Sequence, residues 1–130
     1  MPRIDANPYP FDFARDTVAL MVIDMQRDYL LPDGYGASLG LDTEPCMAIV
    51  PAVQRLLALF RDRELPVIHT RQSHMPDLSD LPKAKWRRGN MKLRIGDQGP
   101  MGRLLIRGEY GTDFIDDLAP APGEAVLDKP

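Results

Sequence analysis

Two charged residues near opposite ends of this sequence each follow a short apolar run. Asp24 follows residues 18–23, and Lys129 follows the run that begins at Ala125. In open parallel sheets, ligands bind outside the carboxyl ends of the strands, so these residues share one crevice if their strands are neighbours. A carboxylate beside an amine can move protons for a reaction, but a structural salt bridge uses the same two groups. The spacing therefore predicts an active site or an ion pair.

Hydrophobic periodicity predicts the elements that position these residues. The continuous apolar run at 18–23 is typical of a parallel strand covered on both faces, and residues 65–70 form another short predicted strand. Between them, from about Cys46 to Glu64, apolar residues recur at helical spacing. This order predicts a right-handed strand–helix–strand crossover, hence an α/β fold. Further predicted elements are a strand at 104–106, a helical turn near 113–118 and a strand at 125–127.

Length and composition limit the classes of protein to consider. The chain has 130 residues, 44% of them hydrophobic and 27% charged, which fits one globular domain. Its net charge of −3 argues against a nucleic-acid partner. The apolar runs are too short to span a bilayer, and the N-terminus does not resemble a signal peptide, so no membrane partner is predicted. With a single cysteine as well, these features predict a cytoplasmic protein.

Three stretches carry a resemblance to a known family. VALMVIDMQRDYL (18–30) resembles the opening motif of the isochorismatase-like cysteine hydrolases. IHTRQSHMPDLSDLP (68–82) and the segment from 95 to 130 are similar to the biuret and triuret hydrolases, with ureidoacrylate hydrolases as near relatives. The resemblance implies a three-layer, Rossmann-like parallel sheet. It also implies that residues 1–130 are a single domain of this type, corresponding to the N-terminal part of the enzyme.

The family resemblance implies a reaction and two site residues. Members cleave amides with a Cys-Asp-Lys triad through an acyl-enzyme, and by motif Asp24 is the general base and Lys129 the triad lysine. The acid would take the thiol proton and the lysine would stabilise both anions. The implied substrate is a small urea-like amide, foremost biuret, hydrolysed to allophanate and ammonia without a cofactor. The resemblance further implies a homo-oligomer for the complete enzyme, with a tetramer as one option.

The third member of the triad is not expected within these residues. In the family the nucleophilic cysteine follows a strand beyond the lysine motif. Cys46 is the only cysteine in the chain and falls at the predicted start of the first long helix, where a small buried thiol is the ordinary interpretation. We therefore expect the chain to be inactive alone unless another segment supplies the nucleophile and its oxyanion hole.

Three polar residues after the first strand have different predicted roles. Tyr29 stands at the aromatic position of the motif, where its ring could face a planar substrate or pack in the core. Gln26 and Asp28 are expected to hold the strand-end loop together by hydrogen bonds rather than to contact substrate.

Two histidines raise the question of a metal site. Nicotinamidases, which are distant relatives, bind a metal through an Asp-x-His pair after the second strand, but Gln72 replaces that aspartate here. A neutral amide is a poor ligand compared with a carboxylate, so no metal is predicted. His74 is expected to be a hydrogen-bonding loop residue and His69 a satisfied core histidine.

The basic stretch KAKWRRGNMKLR, residues 83–94, allows more than one interpretation. Its charge and single tryptophan could contact nucleic acid, but acidic residues flank it. A solvated loop or a subunit contact is the preferred interpretation. In the family, the corresponding segment lies over the active-site entrance or between subunits.

Other functions stay open at this point. Ureidoacrylate, triuret and other isochorismatase-like activities are alternatives to biuret hydrolysis, and a catalytically inactive binding fragment is the non-enzymatic alternative. A phosphatase that uses an aspartate after its first strand would need a second acid at position 26, which is a glutamine here.

Overall fold

A computed structural model of the protein describes residues 1–88 and 92–130. It contains seven strands and five helices among these residues. In chain order they are β1 (Arg3–Ile4), β2 (Phe11–Asp12), β3 (Leu20–Ile23), α1 (Arg27–Leu30), α2 (Tyr35–Ser38), α3 (Glu44–Ala48), α4 (Val50–Asp62), β4 (Val67–Gln72), α5 (Lys83–Trp86), β5 (Gln98–Gly99), β6 (Gly102–Arg103) and β7 (Ala125–Lys129), with 3₁₀ turns at Arg15–Thr17 and Asp116–Leu118.

A three-stranded parallel sheet organises the molecule. Its strand order is β3-β4-β7, so β4 lies in the centre and the strands that precede Asp24 and carry Lys129 are not neighbours. Leu20 pairs with Val67 at one end, and Gln72 pairs with Lys129 at the other. The carboxyl ends of all three strands nevertheless meet at one edge of the sheet, as a parallel arrangement requires. The predicted α/β fold is confirmed.

One face of the sheet packs against α4. Val22 and Val67 from the sheet and Leu57 from the helix belong to a single buried cluster. The predicted helix from Cys46 to Glu64 is divided into α3 and α4 at Ile49. Pro51 explains the division, because its ring nitrogen has no hydrogen to bond the Met47 carbonyl one turn earlier.

The other face of the sheet is exposed in the described chain. Met21, Ile23 and Leu127 keep 52%, 57% and 52% of their surface accessible. The prediction that the first strand is covered on both faces is therefore wrong for this chain. A continuous apolar run shows that both faces of a strand are suited to burial, but it does not show that a second layer covers them.

The predicted strand at residues 104–106 is also wrong. These residues are almost completely buried, but Leu105 has a φ of 55°, which a strand cannot adopt. The Leu105 carbonyl accepts a hydrogen bond from His74 N–H at 2.8 Å, and this contact fixes the segment beside the end of β4. Burial rather than strand pairing explains its apolar composition.

Two further predicted elements are confirmed. The strand at 125–127 forms as β7 and the helical turn near 113–118 forms as the 3₁₀ turn. Among the described residues, no helix has the length and apolar character needed to cross a membrane.

Candidate active site

Asp24 and Lys129 meet at the carboxyl edge of the sheet. Lys129 Nζ donates a hydrogen bond to Asp24 Oδ2 at 2.5 Å, and Thr70 Oγ1 donates to Asp24 Oδ1 at 2.8 Å. The side chains of Asp24 and Lys129 are 22% and 46% exposed, so a small molecule can reach both. The sequence predicted this meeting, and the structure adds Thr70, which lies on the intervening strand β4.

The backbone at Asp24 contributes to this geometry. Asp24 has a φ of 54°, in the left-handed region that aspartate tolerates better than most residues. Its N–H still donates to the Thr70 carbonyl at 3.0 Å, which extends the pairing of β3 with β4 by one residue. The turn therefore occurs directly after the last strand bond and places the carboxylate at the edge of the sheet.

The end of β7 is held in register by contacts that Asp128 and the Lys129 backbone make with Arg71 and Ser73. Arg71 Nε donates to Asp128 Oδ1 at 2.6 Å, and Ser73 Oγ donates to the same oxygen at 2.8 Å. Ser73 N–H donates to the Lys129 carbonyl at 3.0 Å. The hydrogen-bonded Arg71 guanidinium lowers the pKa of Asp128 below its ordinary value. These bonds fix the backbone that carries the Lys129 ammonium.

The start of β7 is held by Glu124. Arg61 Nε donates to its Oε1 at 2.6 Å, and His69 Nε2 lies 2.9 Å from its Oε2. The hydrogen bond from Arg61 is the main reason that the pKa of Glu124 falls from 4.5 to about 2. His69 is completely buried, and its Nδ1 has no hydrogen-bond partner among the described residues. The prediction of a satisfied core histidine is therefore confirmed for burial and for Nε2, but not for Nδ1.

Tyr29 lies beside the pair and contacts Gln72. Its hydroxyl donates a hydrogen bond to Gln72 Oε1, and burial together with the Asp24 carboxylate raises the pKa of Tyr29 above its ordinary value. Since Gln72 pairs with Lys129 in the sheet, the two side chains project on the same face. The Gln72 carboxamide accepts from Tyr29 through its oxygen and keeps its N–H donors for another partner.

Gln72 is a site residue that the sequence did not predict, because its position indicated only a replaced metal ligand. The alternation of Thr70 and Gln72 along one strand could have indicated it, since alternate strand residues share a face. No cluster of three or more histidine, cysteine, aspartate or glutamate side chains that could hold a metal occurs in residues 1–88 and 92–130.

Gln26 and Asp28 have the loop-holding roles that were predicted. Gln26 is fully buried, and its Nε2 donates to the Thr112 and Gln72 carbonyls at 2.6 and 2.9 Å. Asp28 is 1% exposed, and its Oδ2 accepts from Leu105 N–H at 2.9 Å. Burial raises the pKa of Asp28 above its ordinary value.

Gly111 allows the close approach of the Asp28 side chain. A methyl group at this position would lie 2.5 Å from Asp28 Oδ1, far inside van der Waals contact. The glycine is therefore required by the buried carboxylate rather than by a turn.

The segment after β4 brings further charges toward the edge of the sheet. His74 is completely buried, its Nδ1 lies 3.4 Å from Asp80 Oδ1, and burial lowers the pKa of His74. Lys85 on α5 is half-buried and interacts electrostatically with both Lys129 and Asp24. In the sequence, residues 83–94 form one basic stretch in which nothing distinguishes Lys85 from its neighbours. Residues 89–91 of that stretch lie outside the described part of the chain.

Cys46 does not belong to this cluster. It is exposed on α3, so the expectation of a buried thiol is wrong. Helix α3 contacts α1 and α4. Within the described residues, no contact joins the Cys46 thiol to Asp24 or Lys129.

Comparison with known proteins identifies the family. A family model described as the Isochorismatase domain matches residues 18–130. The chain belongs to the isochorismatase family. Its fold agrees with that of an isochorismatase family protein from Desulfovibrio vulgaris, with a TM-score of 0.64 and 33% identity over 88% of this chain and 53% of that one. This isochorismatase-family chain is also similar to a cysteine hydrolase from Pseudomonas syringae, with a TM-score of 0.65 and 26% identity over 85% and 45% of the two chains.

A curated relative adds the name of an activity. Ureidoacrylate amidohydrolase RutB from Serratia proteamaculans is 29% identical over 132 residues, which cover 98% of this chain and 53% of the relative. The chain therefore spans about half the length of the curated relatives it matches. The family model shows that the chain belongs to the isochorismatase family, and the curated relative is named for an amidohydrolase activity.

Proposed function

We propose that this chain supplies Asp24 and Lys129 to an amidohydrolase that removes ammonia from a small carbamoyl amide. The observation that carries the proposal is the 2.5 Å contact between Lys129 Nζ and Asp24 Oδ2 at the carboxyl edge of the sheet. A buried structural ion pair would be closed to solvent, whereas this one is partly exposed at the edge where parallel sheets bind ligands. The third member of the triad is a cysteine outside these 130 residues.

The proposed reaction proceeds in two balanced steps. In the first, Asp24 takes the thiol proton, the sulfur forms a bond to the carbonyl carbon, and the C–N bond breaks as Asp24 returns the proton to departing ammonia. In the second, water gives a proton to Asp24 and attacks the same carbon. The C–S bond then breaks and the sulfur recovers its proton. Lys129 stabilises the negative charge on the carboxylate and on the sulfur.

Two neighbouring side chains suit a urea-like group. Tyr29 presents an aromatic ring beside Asp24, and its hydroxyl is already used by Gln72. Among the described residues, none accepts a hydrogen bond from Gln72 Nε2, so its N–H donors can bond a carbonyl oxygen of the substrate, while the ring packs against the planar ureido group.

Ureidoacrylate is the preferred candidate substrate, because the curated relative is named for it. The sequence motifs predicted biuret, with triuret as an alternative, and both stay in the proposal as neutral carbamoyl amides. A cytoplasmic location and a homo-oligomeric complete enzyme, both implied by the sequence, are further parts of the same proposal.

Ammonia release by the full-length natural protein tests the proposal. We expect release from at least one of ureidoacrylate, biuret and triuret, and we expect iodoacetamide to abolish it. The matched control is Cys46→Ser, which removes the only cysteine of this chain. This variant should keep full activity and full sensitivity to iodoacetamide. Loss of activity in Cys46→Ser would place the nucleophile within this chain, and no ammonia from any of the three amides would favour a binding protein.

A further inference from the structure

Lys85 lies in a segment that the structure fixes beside the end of β4. Two residues before α5, Leu81 packs against the buried cluster that also contacts Tyr29. The preceding residue, Asp80, accepts a hydrogen bond from Met75 N–H at 3.0 Å and lies 3.5 Å from Arg107 Nη2. These contacts connect α5 to the strand end next to the candidate active site.

Lys85 is a half-buried cation without an ion-pair partner in the described part of the chain. None of the described residues forms an ion pair with it within 4.0 Å. Asp80, the acid closest to it in sequence, is instead within 3.5 Å of His74 and Arg107. Most lysines are solvated at the surface, as Lys83 is on the same helix. A partly desolvated cation without a partner is a site at which an external anion gains the most.

The charges around Lys85 are unbalanced. The groups that interact electrostatically with it or with the neighbouring His74 include the carboxylates Asp24 and Asp80. The cations outnumber them and comprise Lys85 itself, Lys129, Arg88 and Arg107. This positive excess occurs in a chain whose net charge is −3. The local field therefore favours an anionic ligand over a neutral one.

The electrostatic state of Lys85 agrees with this geometry. Burial is the largest cause that lowers the pKa of Lys85, and the neighbouring Lys129 ammonium is the second. A bound carboxylate would reverse the second effect by placing negative charge between the two cations.

We propose that Lys85 binds the carboxylate of those carbamoyl amide substrates that carry one. This inference rests on the proposed function, because it assigns the two ends of one substrate to two clusters. The ureido group lies between Asp24, Lys129 and Gln72, and the carboxylate lies toward α5. Biuret and triuret, which have no carboxylate, lack the second contact.

Steady-state kinetics of ammonia release in the full-length protein test this assignment. We expect Lys85→Met to raise the KM for ureidoacrylate on the order of tenfold, the usual effect of losing a charge-assisted hydrogen bond, and to leave kcat largely unchanged. The kinetic constants for biuret should not change. The matched control Lys83→Met removes an exposed lysine two positions away and should behave as wild type. Lys85→Arg should retain most of the affinity for ureidoacrylate.

The outcomes separate this inference from the proposed function. Equal effects of Lys85→Met on ureidoacrylate and biuret, or no effect on either, would overturn the role of Lys85. If no amide is hydrolysed, the proposed function fails, and equilibrium binding of 3-ureidopropionate then decides the inference alone. Binding to wild type and Lys83→Met, but weaker binding to Lys85→Met, supports it. Equal affinity in all three proteins, or no binding to wild type, contradicts it.

Discussion

Asp24 and Asp28 are two acids four residues apart that follow the same strand, and their surroundings differ in every respect that matters for reactivity. Asp24 is partly exposed and bonded by the side chains of Lys129 and Thr70. Asp28 is 1% exposed and bonded by the backbone N–H of Leu105. The first can release one partner and accept another, whereas the second is fixed by the fold.

The two acids differ in the type of their partners, and under the proposed mechanism this difference separates a reactive acid from a structural one. A lysine side chain can shift during a reaction, but a backbone donor in a buried segment cannot move without local unfolding. The raised pKa of Asp28 follows from burial and is not evidence of catalysis.

The largest expected effect is on the reactive side, from Lys129→Met. The variant removes the cation that stabilises both the carboxylate and the proposed thiolate. Ammonia release in the full-length protein should fall about 100-fold or more, within the range of general acid–base effects. The pH dependence of thiol alkylation should move upward by about one unit, because the nearby positive charge is lost. An unchanged alkylation profile would contradict the role of Lys129, and Lys83→Met is the matched control.

On the structural side, Asp28→Ala should reduce the free energy of unfolding by about 2 kcal/mol, because Leu105 N–H loses its acceptor in a buried segment. Removing a buried carboxylate also relieves a desolvation cost, which keeps the loss moderate. Denaturant unfolding measures the change. Asp33→Ala, at an exposed position, is the control and should be nearly neutral.

The loss of stability in Asp28→Ala should depend on pH in a direction that the pKa of Asp28 determines. Because the pKa of Asp28 is raised in the folded state, the folded protein keeps this proton to higher pH than the unfolded chain. The contribution of Asp28 to stability is therefore complete below its unfolded value of 3.8 and decreases as the pH rises through the folded value. The stability deficit of Asp28→Ala should shrink between acid and neutral pH. A deficit that grows with pH would contradict the buried environment of this acid.

The smallest effect concerns the start of β7. The pKa of Glu124 is about 2 in the folded protein, compared with an ordinary value of 4.5 in the unfolded chain. The contribution of Glu124 to stability is therefore present above about pH 4.5 and is lost as the pH falls through about 2. Glu124→Gln should cost about 1–2 kcal/mol at neutral pH, after allowance for the solvent-exposed end of Arg61. The free energies of unfolding of Glu124→Gln and wild type should become equal as the pH is lowered from 7. The exposed Glu44→Gln is the control, and a constant difference at all pH values would argue against the Arg61 contact.

Sequence reasoning predicted the parts of this site that follow from local pattern. The strand ends at Asp24 and Lys129 and the amphipathic face of α4 depend on periodicity, and all three are present in the fold. The buried segment 104–106 was misassigned, because apolar composition alone does not distinguish a strand from an irregular core segment.

Two other features depended on tertiary structure. Lys85 could not be singled out, since the neighbours of a residue in a basic loop are set only by the fold. For Gln72, the one signal in the sequence was the strand face that it shares with Thr70. The open face of the sheet was missed for a related reason, because a strand sequence does not indicate whether the layer that covers it is present.

The most direct test of the central claim measures ammonia release per folded molecule in Asp24→Asn and Asp28→Ala of the full-length protein. We predict that Asp24→Asn abolishes release at an unchanged melting temperature, because the amide cannot accept the thiol proton. We predict that Asp28→Ala lowers the melting temperature while its folded fraction stays active. Near-normal turnover in Asp24→Asn would contradict the assignment of Asp24 as the base.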